Sequence, residues 1–293
     1  MNIIKYKKIF LGVSLALVLA AIVVIGVKKL DYSIEFTGGA VLEVSYNEKP
    51  TIDELRTSVT ETGISADIQS FGENAYVLKT KPLTEDERKL LVSATNISGG
   101  STVERFNSFG PSVGRELRSK SLYALIFVSL GIVFFLTYAF RKVSQPVSSW
   151  KYGFVAVLAL IHDIIIPVGI LTLMGIEIDP LYVVGLLSIL GLSVNDTIVV
   201  FDRIREVLGT NNESKIKQDF NEIVGDSVTQ TMARSIFTSL TLVVVLIALY
   251  LVGPAATQTL ALVLLLGTIV GTYSSIFVAS PLLVYMVSKK VNE

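Results

Sequence analysis

Three ionisable positions stand in stretches of sequence where charge is expensive. Asp196 follows the amide Asn195 inside an apolar run over residues 181–201, which at about 1.5 Å per residue is long enough to cross a hydrocarbon layer of about 30 Å. A carboxylate at the centre of a membrane helix costs a few kcal/mol or more, so one that is present is expected to face a bundle interior or a water path and to have a partner. The next apolar stretch supplies one. Ser227, Gln230, Arg234, Thr238 and Thr241 recur at intervals of three and four, which puts them on one helical face. Because that stretch starts on the side where the previous one ends, Arg234 is expected at the depth of Asp196. Two readings of such a couple stay open: a fixed salt bridge that only sets helix register, or a pair that opens and closes as the acid gains and loses a proton. The other position is His162-Asp163, near the middle of a third apolar run. It reads either as a proton relay or as a polar pair satisfied by neighbouring helices.

Composition narrows the chemistry further. The 293 residues contain one histidine and no cysteine, which excludes multi-histidine and thiolate metal sites, disulfides and a cysteine nucleophile. Neither a GxxxxGK[ST] phosphate loop nor HExxH occurs. No cofactor is implied, and the chain does not read as an enzyme. Hydrophobic residues make up 51% of the chain and charged ones 17%, with mean hydropathy +0.63, too apolar for an ordinary soluble domain. The 25 basic and 25 acidic residues cancel, so no basic surface points to nucleic acid, and membrane lipid is the expected surrounding.

The elements that must position these residues follow from the pattern. Apolar runs at residues 9–27, 122–140, 152–174, 181–201, 236–252 and 260–287 predict six transmembrane helices. The first is read as a retained anchor: it is longer than a signal-peptide core, and Lys28-Lys29 follows where a small-residue cleavage site would stand. Residues 31–120 have the composition of a soluble domain. Extended segments are expected at 32–36, 41–46, 66–71, 75–80 and 102–109, with Thr37-Gly38-Gly39 as a turn. Thr51-Ile52-Asp53-Glu54 and Thr84-Glu85-Asp86-Glu87 fit capping boxes that open helices to about residues 61 and 95. Strand, helix, strand, strand, helix, strand is the ferredoxin-like order. The fold class expected is therefore a helical polytopic membrane protein with a small α+β ferredoxin-like domain between its first two spans. Its parts are residues 1–30, 31–120 and 121–293.

Short-loop basic residues set the orientation. Lys5, Lys7 and Lys8, then Arg141, Lys142 and Lys151, then Arg203, Arg205, Lys215 and Lys217, then Lys289 and Lys290 all fall on one side of six crossings, while loops 175–180 and 253–259 carry no basic residue. Both termini are expected to be cytoplasmic and residues 31–120 extracytoplasmic. Small residues mark packing faces on the fourth span (Gly185, Ser188, Gly191, Asn195) and the sixth (Gly267, Gly271, Thr272, Ser275).

Together these residues resemble the SecF family, the export-membrane subunits of the SecD/SecF group, which is related to the resistance-nodulation-division transporters. The motifs are Glu35-Phe36-Thr37-Gly38-Gly39, Gly110-Pro111-Ser112-Val113-Gly114, His162-Asp163, Asn195-Asp196-Thr197-Ile198-Val199-Val200-Phe201-Asp202-Arg203-Ile204-Arg205-Glu206, Thr229-Gln230-Thr231-Met232-Ala233-Arg234 and Gly271-Thr272-Tyr273-Ser274-Ser275. The common family form has Asp where this chain has Glu35. The resemblance implies pairing with SecD in a pseudo-symmetric twelve-span core, half of it of the resistance-nodulation-division type. It also implies work beside the SecYEG channel and the SecA motor on a translocating polypeptide, proton conduction at Asp196 and Arg234, and an external domain that moves. One charge crossing 100 mV releases about 2.3 kcal/mol, enough to bias a domain movement and too little to unfold a substrate.

Three competing readings remain. A half-transporter for a lipid or small molecule would also use intramembrane carboxylates, but an external domain of about 90 residues leaves little from which to build a porter. An aspartyl protease using Asp163 and Asp196 lacks the Gly-x-Gly-Asp context, and Arg234 opposes a shared-proton dyad. The third is a scaffold whose polar residues fix assembly only. The carboxylate alone does not choose between H⁺ and Na⁺.

Overall fold

A computed structural model describes residues 3–97, 100–141, 147–213 and 218–288. Lys142, Lys215, Lys217, Lys289 and Lys290 of the orientation argument lie outside the described residues. The chain divides into two compact units, Tyr32–Leu122 and a helical unit built from Met1–Asp31 and Tyr123–Glu293.

In the smaller unit, a single helical turn α2 (Ile34–Thr37) precedes β1 (Gly39–Tyr46), α3 (Ile52–Glu61), β2 (Ala66–Phe71), β3 (Ala75–Thr80), α4 (Glu85–Thr95) and β4 (Ser101–Phe109). All pairings are antiparallel in the order β2-β3-β1-β4, the ferredoxin-like arrangement expected from the element order. β1 alternates: Ala40, Leu42, Val44 and Tyr46 are buried, and Leu55, Val59 and Leu91 of the two helices close over them. Both capping boxes form. Thr51 Oγ1 accepts from Glu54 N while Thr51 N donates to Glu54 Oε2 at 2.8 Å, and Thr84 and Glu87 repeat the exchange.

One local expectation is corrected. Residues 34–36, expected to be extended, instead form α2 together with Thr37, because Ser33 O accepts from both Phe36 N and Thr37 N, and Gly38 ends the turn at φ +82°. That turn brings two distant glycine motifs together. A Cβ on Gly38 would lie 2.9 Å from Pro111 Cα, and one on Gly114 would lie 2.7 Å from Phe36 O, so neither place tolerates a side chain. Gly39 is equally tight, 2.7 Å from Thr80 O, whereas Gly110 meets only Ser112 Oγ at 3.8 Å.

Among the described residues there are six helices long and apolar enough to cross a membrane. They are α1 (Lys7–Lys28), α5 (Pro111–Ala139, which begins in the smaller unit), α6 (Ser149–Leu173), α7 (Pro180–Glu213), α8 (Phe220–Val252) and a broken last span. That span comprises α9 (Ala255–Ser274), a π-helical turn (Ser275–Ala279) and α10 (Ser280–Ser288). The chain is thus a multi-pass membrane protein. α6, α7 and α9 are its buried centre, while α1, α5 and α8 present apolar side chains outward, Phe134 at 74% exposure among them. Phe140, Tyr152 and Phe201 pack one end of the core, with ring centroids 5.0 Å apart for the first two and 5.2 Å for the last two.

Candidate functional site

Asp196 sits on α7, half-buried, at a cleft of about 80 Å³ between α7, α8 and α9. Its lining includes Asn195, Thr238, Ser239, Thr268 and Thr272. A volume of this size with hydroxyl walls has room for water. Asp196 Oδ2 accepts from Ser239 Oγ at 3.3 Å, and Ser239 in turn accepts from Thr272 Oγ1 at 2.6 Å. The acid therefore stands at the end of a hydroxyl chain that crosses from α9 over α8 to α7.

Arg234 is not its contact. Among the described residues no Lys or Arg nitrogen, that of Arg234 included, lies within 4.0 Å of the Asp196 carboxylate. Two contacts give the reason. Asp196 meets Ser239, and Arg203 Nε donates to Gln230 Oε1 at 2.6 Å, so in the antiparallel register of α7 and α8 Arg234 stands opposite Val200. The expected matched depth is off by one helical turn, about 5.4 Å. The polar stripe on α8 divides as well: Ser227 is buried, while Gln230, Arg234, Thr238 and Thr241 face outward.

Asp163 lies on α6 with no exposed surface. Its Oδ2 accepts from Ser193 Oγ of α7 and from Ser274 Oγ of α9 at 2.7 Å, and its Oδ1 is 2.8 Å from Nδ1 of His162. His162 is buried and stacks against Tyr273 with centroids 6.2 Å apart. Ser193 precedes Asp196 by one turn, so α7 carries a member of each acid's surroundings.

Of the small residues, Gly185 packs against Val263, Gly267 against Ile189 and Gly271 against Ser193, a Cβ at Gly271 falling 3.1 Å from Ser193 Cβ. Gly191 differs from the packing expected of it: it is exposed, with no atom within 4 Å of its Cβ position, and Asn195 beside it is exposed too. Ser239, Ser193 and Ser274 were not singled out as partners of the acids in the sequence. Helical phase alone places Ser193 one turn from Asp196 but does not show that it bonds Asp163. Ser239 and Ser274 carry no signal without the register between helices.

Comparison with known proteins agrees with this architecture. The family model "Protein export membrane protein SecD/SecF, C-terminal" matches residues 91–289, and the "SecD/SecF GG Motif" matches residues 23–49, which contain Gly38 and Gly39. A protein translocase subunit SecF from Desulfurispirillum indicum is 37% identical over 94% of this chain and 88% of its own length. One from Escherichia coli O157:H7 is 35% identical over 92% and 83%. The crystal structure of SecDF from Thermus thermophilus, titled a translocon-associated membrane protein, superposes with a TM-score of 0.83 at 32% identity. It covers 98% of this chain, which spans only 38% of that longer one. On these matches the chain belongs to the SecD/SecF family of protein-export membrane proteins, in its SecF branch.

Proposed function

We propose that the protein is an accessory subunit of the Sec translocase that pairs with SecD and uses the proton gradient to promote export of polypeptides across the cytoplasmic membrane. Both termini are then cytoplasmic and the ferredoxin-like unit extracytoplasmic, as the basic loops require. Its role is transport and not catalysis, in line with the names of its relatives. One observation carries the reading: a half-buried mid-span acid, hydrogen-bonded to Ser239 beside a polar cleft with room for water, has a guanidinium one turn away and not in contact. A static register-fixing bridge would be closed. An acid that is near a cation, near water and free of the cation is arranged to exchange a proton.

Pairing with SecD has its own support. More than half of the solved SecDF chain has no counterpart in this chain, and the outward polar face of α7 and α8 calls for a protein neighbour. SecYEG, SecA and the exported chain are partners at one remove, by the same family relation.

The test is export of a secreted protein into inverted membrane vesicles carrying Asp196→Asn, with proton and sodium gradients imposed separately. The expected result is an assembled complex whose export no longer responds to the proton gradient. Gradient-driven export at the unsubstituted level in Asp196→Asn would reject the reading, and a response to sodium alone would replace the ion.

A further inference from the structure

Asp163 is the meeting point of three helices. Ser193 from α7, Ser274 from α9 and His162 from its own helix α6 all converge on one carboxyl group, supplying three donors, which suits the acceptor-only ionised form. The imidazole is the unusual member. With Nδ1–H directed at Asp163, Nε2 is a lone pair, and it is buried with no hydrogen-bond partner among the described residues. A buried polar atom with nothing to bind is rare enough to require a reason.

We propose that His162 and Asp163 form a second proton-binding station, loaded at His162 Nε2, and that its occupancy controls how tightly α6 is held to α7 and α9. The step balances without electron transfer. A proton binds Nε2, giving the imidazolium; Nδ1 releases its own proton to Asp163 Oδ1; the products are a neutral imidazole protonated on Nε2 and a neutral carboxylic acid. One proton has been taken up. Ser193 and Ser274 then donate to an uncharged oxygen, and both bonds lose their charge assistance.

The groups around the station leave the proton as the variable. His162 is the hydrogen-bond partner of Asp163 on its own helix, and Tyr273 of α9 stacks on it. α1, packed against α6, contributes Ser14, which donates to Tyr273 Oη at 3.2 Å. α1 carries charge only at its ends, at Lys7, Lys8 and Lys28. On α7 the next ionisable side chain is Asp196, one turn beyond Ser193. The two sites adjoin without sharing a hydrogen bond: Ser193, a donor to Asp163, also lines the cleft at Asp196, and Thr272 and Ser274 are two residues apart on α9. The π-helical turn that begins at Ser275 follows at once, so loosening at Ser274 acts next to the break in the last span.

The inference rests on the proton-coupled reading of Asp196. It is tested by infrared difference spectroscopy of the full-length protein in lipid vesicles, titrated over about pH 5 to 8. A protonated-carboxyl band is expected to grow as pH falls, to vanish in Asp163→Asn, to persist in Asp196→Asn, and to shift in Ser193→Ala and Ser274→Ala. Proton flux in His162→Gln should fall by about tenfold or more, as when a positioned proton donor is lost. Should Asp163→Asn fail to fold, the two serine variants keep the acid and carry the test, since a titrating band that shifts in both belongs to Asp163. A spectrum in which no band is sensitive to Asp163, Ser193 or Ser274 would overturn the station. Unimpaired gradient-driven export by Asp196→Asn would instead overturn the coupling at Asp196, whatever the infrared shows.

Discussion

Asp196 touches a hydroxyl, and that distinction decides what substitutions there should do. A hydrogen bond to a charged group is worth about 1.5–3 kcal/mol, and Ser239 Oγ is the side-chain donor to Asp196 among the described residues. Ser239→Ala should therefore reduce gradient-driven export about tenfold or more while leaving the protein assembled, and Val244→Ala, exposed on the same helix, should change little; vesicle export with immunoblotted complex levels checks both. Arg234 makes no contact with the acid, so only its charge can act there. Arg234→Lys should therefore keep much of the activity and Arg234→Gln lose it, measured in the same assay. A bidentate pair would give the opposite ranking, since Lys does not replace Arg at a planar fork. The acid was legible in the sequence because a carboxyl in an apolar run announces its cost. Its real neighbour was not, because the register between α7 and α8 is set by packing and a serine among threonines has no signature.

The elements divide in the same way between local and distant causes. Both capping boxes were legible because Thr51 and Glu54, or Thr84 and Glu87, settle the matter within four residues. The helical turn Ile34–Thr37 was missed because its local bonds to Ser33 O carry no side-chain cap to announce them and the packing around it is distant: the close approach of Gly38 to Pro111 and of Gly114 to Phe36. Gly38→Ala and Gly114→Ala should each destabilise the smaller unit by about 1–3 kcal/mol through strain against backbone atoms, whereas Gly110→Ala, whose Cβ would make an ordinary 3.8 Å contact with Ser112 Oγ, should be near neutral. Limited proteolysis of the full chain ranks the three. Thr51→Ala should cost about 1 kcal/mol through the lost cap. The caps also respond to acid. Backbone N–H groups of Thr51 and Thr84 hold the Glu54 and Glu87 carboxyls below their ordinary value of 4.5. That contribution is complete above the ordinary value and disappears as pH falls through the lowered one. Protection factors of the first-turn amides of α3 and α4 should drop there, while those in the centre of β1 hold.

On the scale of the whole molecule, one face is unlike the rest of the membrane surface. α5 and α1 turn outward side chains such as Phe134 and Ile9, as lipid requires. Mid-span on α7 and α8 the outward residues include, beside apolar ones such as Leu192, Phe237 and Leu240, the polar or small Ser188, Gly191, Asn195, Arg234, Thr238 and Thr241. Amide, hydroxyl and guanidinium groups facing hydrocarbon would each be costly, and an open glycine offers the close approach that membrane helices use to pack. The same face borders the cleft at Asp196, so whatever covers it also controls water at the acid. The six spans were legible because hydrophobic length is a local property. The identity of this face was not, because Gly191 and Gly185 read alike in sequence and only the bundle shows that one is packed on Val263 and the other is open. The chain has no cysteine, so single introduced thiols report cleanly. In native membranes Asn195→Cys and Thr238→Cys should cross-link to a SecD subunit and resist a lipid-soluble maleimide, while Phe134→Cys should react with the maleimide and form no cross-link. Equal maleimide labelling at all three positions would mean that the polar face meets lipid, and that the twelve-span pairing on which the coupled reading depends does not form there.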